Sequence, residues 1–288
     1  MKEANLIDRS LRNVLDPKWI DTRTAMRGSK MLVCLLSWLL FTAPVAQAAL
    51  KPETTAAYQQ YIAGIAPKMA AQNGASSSFL WIDGDAARQQ AVRRGEIVTQ
   101  KVFSSAVPDG MIQHWIAGVF LPGATLAGVE RVDQDYADYG KFYGPDISRV
   151  NVVSRGKSHF VVAYRITKTK VVTAVLDTVQ VIDYLPLGPG KLAVQSHSQS
   201  VRQVDNADKP TEQVLAEGEG TGFLWAMNSY WRMQERDGGV YMECEAITLS
   251  RGVPLGLGAL INPVLQSFAE DSLKKTIEQK RQAVAASK

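Results

Sequence analysis

The stretch that most limits how this chain folds is its last third. Two strand-like runs, 223–236 and 240–249, flank Asp237-Gly238-Gly239, and an amphipathic helix follows from about Pro263 to Ala286. A two-residue Asp-Gly or Gly-Gly turn between alternating runs specifies a tight hairpin. The hairpin hands over to the helix after a short connection, so the helix must lie on the sheet that the hairpin joins. Asn262 suits the cap of that helix and Pro263 its first position, where a missing N–H costs nothing. Leu265, Ala269, Leu273 and Ile277 form one i, i+4 row with Val264 and Phe268 beside it. Glu270, Lys274 and Glu278 line another row at ion-pair spacing. Acids interleaved with lysines argue against a helix lying on a membrane surface, whose polar face is basic.

The hairpin also sorts its side chains. Trp231, Met233, Met242 and Cys244 share one face, and Arg232, Gln234, Glu243 and Glu245 share the other. Glu243-x-Glu245 has the form of an acid/base pair. Cross-strand pairing with Arg232 on a solvated face accounts for it equally well and is the expectation.

Upstream, Tyr58, Tyr61, Ile62, Ile65 and Met69 recur at helical spacing and predict a helix over 54–71 that contains Pro67. Short extended pieces follow at 79–82 and 96–103, then an apolar strand at 113–121 and a helix over 125–139. Strands at 149–154, 159–168, 171–184 and 191–204 are rich in Val, Ile, Thr and Tyr, and they precede a polar loop over 205–220. Short connectors make this meander antiparallel. No alternation of strand and crossover helix appears, which argues against a parallel α/β enzyme.

At the N-terminus, an apolar run over 31–45 follows Arg27 and Lys30 and precedes Ala46-Gln47-Ala48. A basic start, a short apolar core and an Ala-x-Ala site describe a secretory signal peptide cut after Ala48. An uncleaved membrane anchor is the alternative. Residues 1–25 are polar and fit neither picture, and Met26 offers a compact alternative start. The expected organisation is an upstream segment 1–25, a signal peptide 26–48, an N-terminal extension 49–110 and a ligand-binding domain 111–288. A periplasmic or secreted location follows. The first 48 residues hold a net charge of +3 of the chain's +4, leaving about +1 for the mature protein. That balance gives no clustered basic face for nucleic acid. Cys34 leaves with the leader, and Cys244 stays alone on a strand as a small buried hydrophobe.

The run 225–249 (WAMNSYWRMQERDGGVYMECEAITL) followed by the long helix resembles the helix-grip superfamily, which includes START domains, the plant pollen-allergen fold and polyketide cyclases. The WxxNSYWR and GVYxECE runs are similar to those of an exported bacterial branch. The resemblance covers about residues 111–286. It implies an α+β fold, a curved antiparallel sheet of six or seven strands on a C-terminal helix, with a cavity for a sterol, lipid, polyketide or similar molecule.

On this layout Trp115, Tyr164, Trp225, Tyr230 and Trp231 fall on the gripped sheet and are the candidate ligand contacts, since amphipathic rings suit an apolar cavity. Core packing is their plain alternative. Arg165 is the candidate polar anchor, a strand guanidinium for an acidic lipid head. His114, His159 and His197 have no metal-ligand spacing and read as structural or surface residues. Asp133-x-Asp135-x-x-Asp138 misses the calcium-loop pattern and reads as a solvated helix surface. No catalytic residue, metal or cofactor is implied. The expected function is an exported binding protein for a lipid-like or other apolar small molecule. The expected partner is therefore that molecule, with no nucleic acid and no membrane span after cleavage. A cyclase- or hydrolase-type enzyme in the same cavity, and an envelope structural or interaction protein, are the alternatives.

Overall fold

The computed structural model describes residues 49–74, 79–169, 173–252 and 258–287, with the side chains of 258–266 outside that description. The upstream segment and the expected leader therefore lie outside the described residues. Residues Gln47–Lys288 form one compact unit. Among the described residues no helix is long and apolar enough to cross a membrane.

The unit opens with helix α1 (Pro52–Gly74), a 3-10 turn (Trp81–Gly84) and helix α2 (Ala86–Arg93). Strands β1 (Val98–Val107) and β2 (Gly110–Pro122) follow, then helix α3 (Leu126–Gln134) and the short helix α4 (Tyr139–Phe142). Strands β3 (Ile147–Arg155), β4 (His159–Thr169), β5 (Thr173–Pro186) and β6 (Lys191–Asp205) form the meander. The chain ends with β7 (Gln213–Val214), β8 (Ala226–Arg236), β9 (Gly239–Arg251) and helix α5 (Gly258–Ala286). All pairings are antiparallel, in the order β1-β2-β9-β8-β6-β5-β4-β3, with β7 on β6.

The α+β helix-grip architecture is thus present, with nine strands where six or seven were expected. The additional strands are the long β1, whose β1–β2 turn falls on the expected boundary near residue 110, and the two-residue β7. Strand β2 pairs with β9 along thirteen residue pairs, so the β1–β2 and β8–β9 hairpins make up one half of the sheet, with β1 at its edge. The β8–β9 turn is Asp237-Gly238. Both residues have positive φ (54° and 75°), which is the geometry that Asp-Gly serves.

Two differences from expectation have physical causes. Helix α5 starts at Gly258, so Asn262 and Pro263 lie inside it and not at its cap. The helix predicted over 125–139 stops at Gln134, then resumes as a 3-10 turn (Tyr136–Asp138) and α4. That break lets Tyr136 turn into the core, where it is 1 % exposed.

The sheet separates two layers by the parity of each strand. On the grip face, Trp115, Ala117, Val119, Met233, Met242 and Cys244 pack with Leu273, Ile277, Ala283 and Val284 of α5. On the opposite, outer face, Ile112, Tyr230, Ile247 and Leu249 pack beneath Tyr58, Ile65 and Met69 of α1.

Candidate functional site: the concavity of the grip

Strand registers place four rows of side chains across the grip face. The row Leu192, Met233, Met242, Val119 is sealed, none of the four more than 2 % exposed. Next comes Tyr184, Val194, Trp231, Cys244, Ala117, in which Trp231 is half-buried. The third row is Ile182, Ser196, Ser229, Ala246, Trp115, and the fourth is Gln180, Ser198, Met227, Thr248, Gln113. In these last two rows Ser196, Ser229, Ala246, Ser198, Met227 and Thr248 are all half-buried.

That exposure is informative because β8 and β9 are interior strands. On their outer face the central side chains are closed: Arg232 is 1 % exposed, and Glu243 and Ile247 are 0 % exposed. On the grip side, exposure rises from the sealed row to the middle of the third and fourth rows.

The lining carries polar groups without protein partners. The Trp115 indole N–H and Gln113 Oε1 are buried with no hydrogen-bond partner, and so is Gln180 Nε2. Gln180 Oε1 accepts from the Ser196 hydroxyl at 3.1 Å. Turning that amide over would exchange the roles and still leave one of its atoms unpaired. Native proteins leave few such groups, since each costs about 1–3 kcal/mol. A ligand that donates or accepts there would recover that cost.

The sealed end is polar at one point. Lys280 of α5 and Asp133 of α3 form a buried ion pair at 2.7 Å, and the Lys280 ammonium lies 3.9 Å from the centre of the Trp231 ring. Burial pushes the Asp133 carboxyl up from its ordinary range, and Lys280 partly offsets that push. Tyr139 and Tyr184 donate to the Asp133 carbonyl at 2.6 and 3.0 Å. The expectation of a solvated Asp133 is thus overturned. The side chain points from α3 into the seam with α5, where a lysine three residues beyond Ile277 meets it.

The candidate residues separate. Trp115, Tyr164 and Trp231 lie on the grip face, while Trp225 and Tyr230 lie on the outer face with Tyr58 and Leu249. Arg165 is turned away from the concavity because its neighbour Tyr164 faces it. Its guanidinium binds Asp177 at 2.7 and 2.9 Å and Glu212 at 2.9 and 3.0 Å, pinning the 206–214 loop. Hydrogen bonds from Arg165, then from the Asp208 backbone and Arg149, hold the Glu212 carboxyl far below its ordinary range. Arg165→Ala is accordingly expected to speed amide exchange over 206–214 and leave ligand affinity unchanged. A loss of affinity in that variant would place Arg165 at the ligand after all.

The outer face holds what sequence reasoning placed in solvent. Arg232 Nη1 bonds Glu245 Oε1 at 2.9 Å and Glu243 Oε1 at 3.2 Å, and His114 Nε2 meets Glu245 Oε2 at 2.9 Å. Pairing of Arg232 with these glutamates is as expected, but α1 and the 3-10 turn cover the face and bury it. Burial drives the Glu243 carboxyl up to about 7 against the pull of Arg232. Burial also acts to raise Glu245, but His114 and Arg232 outweigh it and hold that carboxyl below its ordinary value. His159 pairs with Asp183 at the surface, and His197 is exposed.

A second, open cleft of about 550 Å³ lies on this outer side, where β6 and β8 part after His197 and Asn228. Tyr58, Gln59 and Ile62 of α1 form one wall, and Trp225, Asn228 and His197 form the floor and far side.

No family model and no curated protein matches the chain. Among solved structures, it is similar to a STAR-related lipid transfer protein from Xanthomonas axonopodis at 13 % identity, with 65 % of this chain and 98 % of that one covered and a TM-score of 0.42. It is similar to human STARD10 at 14 % identity, covering 72 % and 83 %, with a TM-score of 0.40. It is also similar to the Zhui aromatase/cyclase from Streptomyces sp. R1128 at 15 % identity, covering 60 % and 91 %, with a TM-score of 0.37. Likenesses this remote carry no argument, and the architecture stands on the ladders and contacts above.

Proposed function

We propose that the protein is an exported binding protein for a lipid-like or other apolar small molecule, held between the sheet and α5. The observation that carries this reading is the half-buried pair of rows on interior strands, beside the sealed row of Leu192, Met233, Met242 and Val119. Apolar side chains of the first two rows beside the fixed polar groups of the next two are the kind of mixed lining that orients a small molecule. Export is supported by the Ala-x-Ala leader in the sequence. Among the described residues, neither row contains an ionisable side chain to act as general base beside its serines. That favours holding a ligand over transforming one.

The test uses Nile red, a neutral apolar probe, with the full chain processed by its host. Ser229→Trp, at the centre of the third row, is expected to weaken binding at least about tenfold, or 1.4 kcal/mol. Organic extracts of the wild-type protein are expected to contain an apolar molecule by mass spectrometry that extracts of Ser229→Trp lack. Ala63→Trp, in the outer cleft, is the control. If it abolishes binding and Ser229→Trp does not, the ligand belongs to the outer cleft and this reading fails.

A further inference from the structure

The ionic cluster beneath α1 does not balance. Arg232 brings one positive charge, and Glu243 and Glu245 bring two negative ones, with no side chain of the three more than 7 % exposed. The nearest other ions close on themselves: Asp83 pairs with Arg236, and Arg93 pairs with Asp237 while donating to Tyr241. On α1, Glu53 and Lys68 are exposed, and Tyr58 and Tyr61 are phenols, as is Tyr230 on β8. A net charge left in a site this dry is costly, so the folded cluster holds one proton. Its seat is Glu243, whose Oε2 accepts a long 3.3 Å bond from the Ile82 N–H. His114 is set between Glu245 and the Tyr61 hydroxyl, which lies 2.9 Å from Nδ1.

Helix α1 is fastened through this cluster. Tyr61 reaches His114, and Met69 places its sulfur 2.8 Å from Arg232 Nη2. The same helix walls the outer cleft with Tyr58, Gln59 and Ile62. We propose that α1 is a proton-linked cover: the proton in the cluster beneath it fixes the helix on the sheet, and losing that proton as pH rises releases the helix and opens the cleft it walls.

The direction follows from linkage. Glu243 is raised from 4.5 to about 7 by burial, so its contribution to docking is fully present below about pH 4.5 and is lost as pH rises through about 7. Glu245 is lowered and stays ionised throughout that window, so it does not oppose the change. A difference of that size corresponds to about a 300-fold change in the docking equilibrium, close to tenfold per pH unit on the rise.

Hydrogen exchange of the full chain from pH 5 to 8, corrected for intrinsic rates, tests this. The amides of α1 are expected to exchange ahead of those of β8 and β9, and their protection to fall about tenfold per unit between pH 5 and 7. Glu243→Gln fixes the neutral form. It is expected to flatten the profile. A flat wild-type profile, or a slope that survives in Glu243→Gln, overturns the proposal. The wild-type measurement alone suffices for that if the variant does not fold.

Discussion

Arg232→Leu is expected to lower the unfolding free energy by about 3–5 kcal/mol in urea titrations at pH 7.5. The guanidinium is 1 % exposed and bonds both glutamates, so its removal leaves two buried carboxylates at 0 % and 7 % side-chain exposure facing each other. The loss would come from those stranded charges more than from the pair itself, because desolvation consumes most of what a buried ion pair gains. Two further variants separate the contributions. Arg232→Leu measured at pH 5 is expected to recover part of the loss, since protonating Glu243 removes one stranded charge. Arg232→Met combined with Glu243→Leu and Glu245→Leu is expected to recover most of it at either pH. A loss for Arg232→Leu below about 1 kcal/mol, the range of solvated pairs, would mean that α1 does not seal this face at pH 7.5.

The same cluster shows where sequence reasoning reaches and where it stops. Alternation sorts Trp231, Met233, Met242 and Cys244 from Arg232, Gln234, Glu243 and Glu245 correctly, because the period of a strand is two, while Tyr230, grouped with Trp231 as a ligand contact, lies on the opposite face. Alternation cannot say what covers each face. The row Tyr58, Tyr61, Ile62, Ile65 and Met69 identifies α1 as amphipathic, yet nothing local tells which side of a distant sheet it meets. Sequence reasoning therefore put Glu243 and Glu245 in solvent, although His114, Tyr61 and Met69 lie over them after folding. Charge alternating with bulk on both strands is the pattern of a pair with one wet face, so the pattern itself pointed to solvent.

Arg165 misled for a related reason. A one-residue step turns a side chain to the other face, and no turn chemistry nearby fixes the register of β4 as Asp237-Gly238 fixes β8 and β9. The grip itself was legible in the order of elements. Its lining was not, because the polar rows of Ser196, Ser229, Gln180 and Gln113 belong to strands far apart in sequence, and only the pairing order brings them into line.

Asp133→Asn is expected to be comparably damaging, about 3–5 kcal/mol, because it strands the Lys280 ammonium at 4 % exposure. In the native protein both Asp133 carboxylate oxygens lie within 2.8 Å of Nζ, and the ammonium rests on the Trp231 ring. The pair therefore ties α5 to α3 and also neutralises the sealed end of the concavity. Removing the carboxylate changes both. Differential binding of palmitate and 1-hexadecanol, alike in chain length but opposite in charge, reads the second effect separately from stability. Wild type is expected to prefer the neutral alcohol at that end, since a carboxylate reaching Trp231 would meet Asp133. Asp133→Asn is expected to shift the ratio towards palmitate by about tenfold or more, the scale of one desolvated charge contact. The double variant Asp133→Asn/Lys280→Met should restore both stability and the preference for the alcohol. An unchanged ratio in Asp133→Asn would separate this end from the ligand, leaving the pair a purely structural clasp between the two helices.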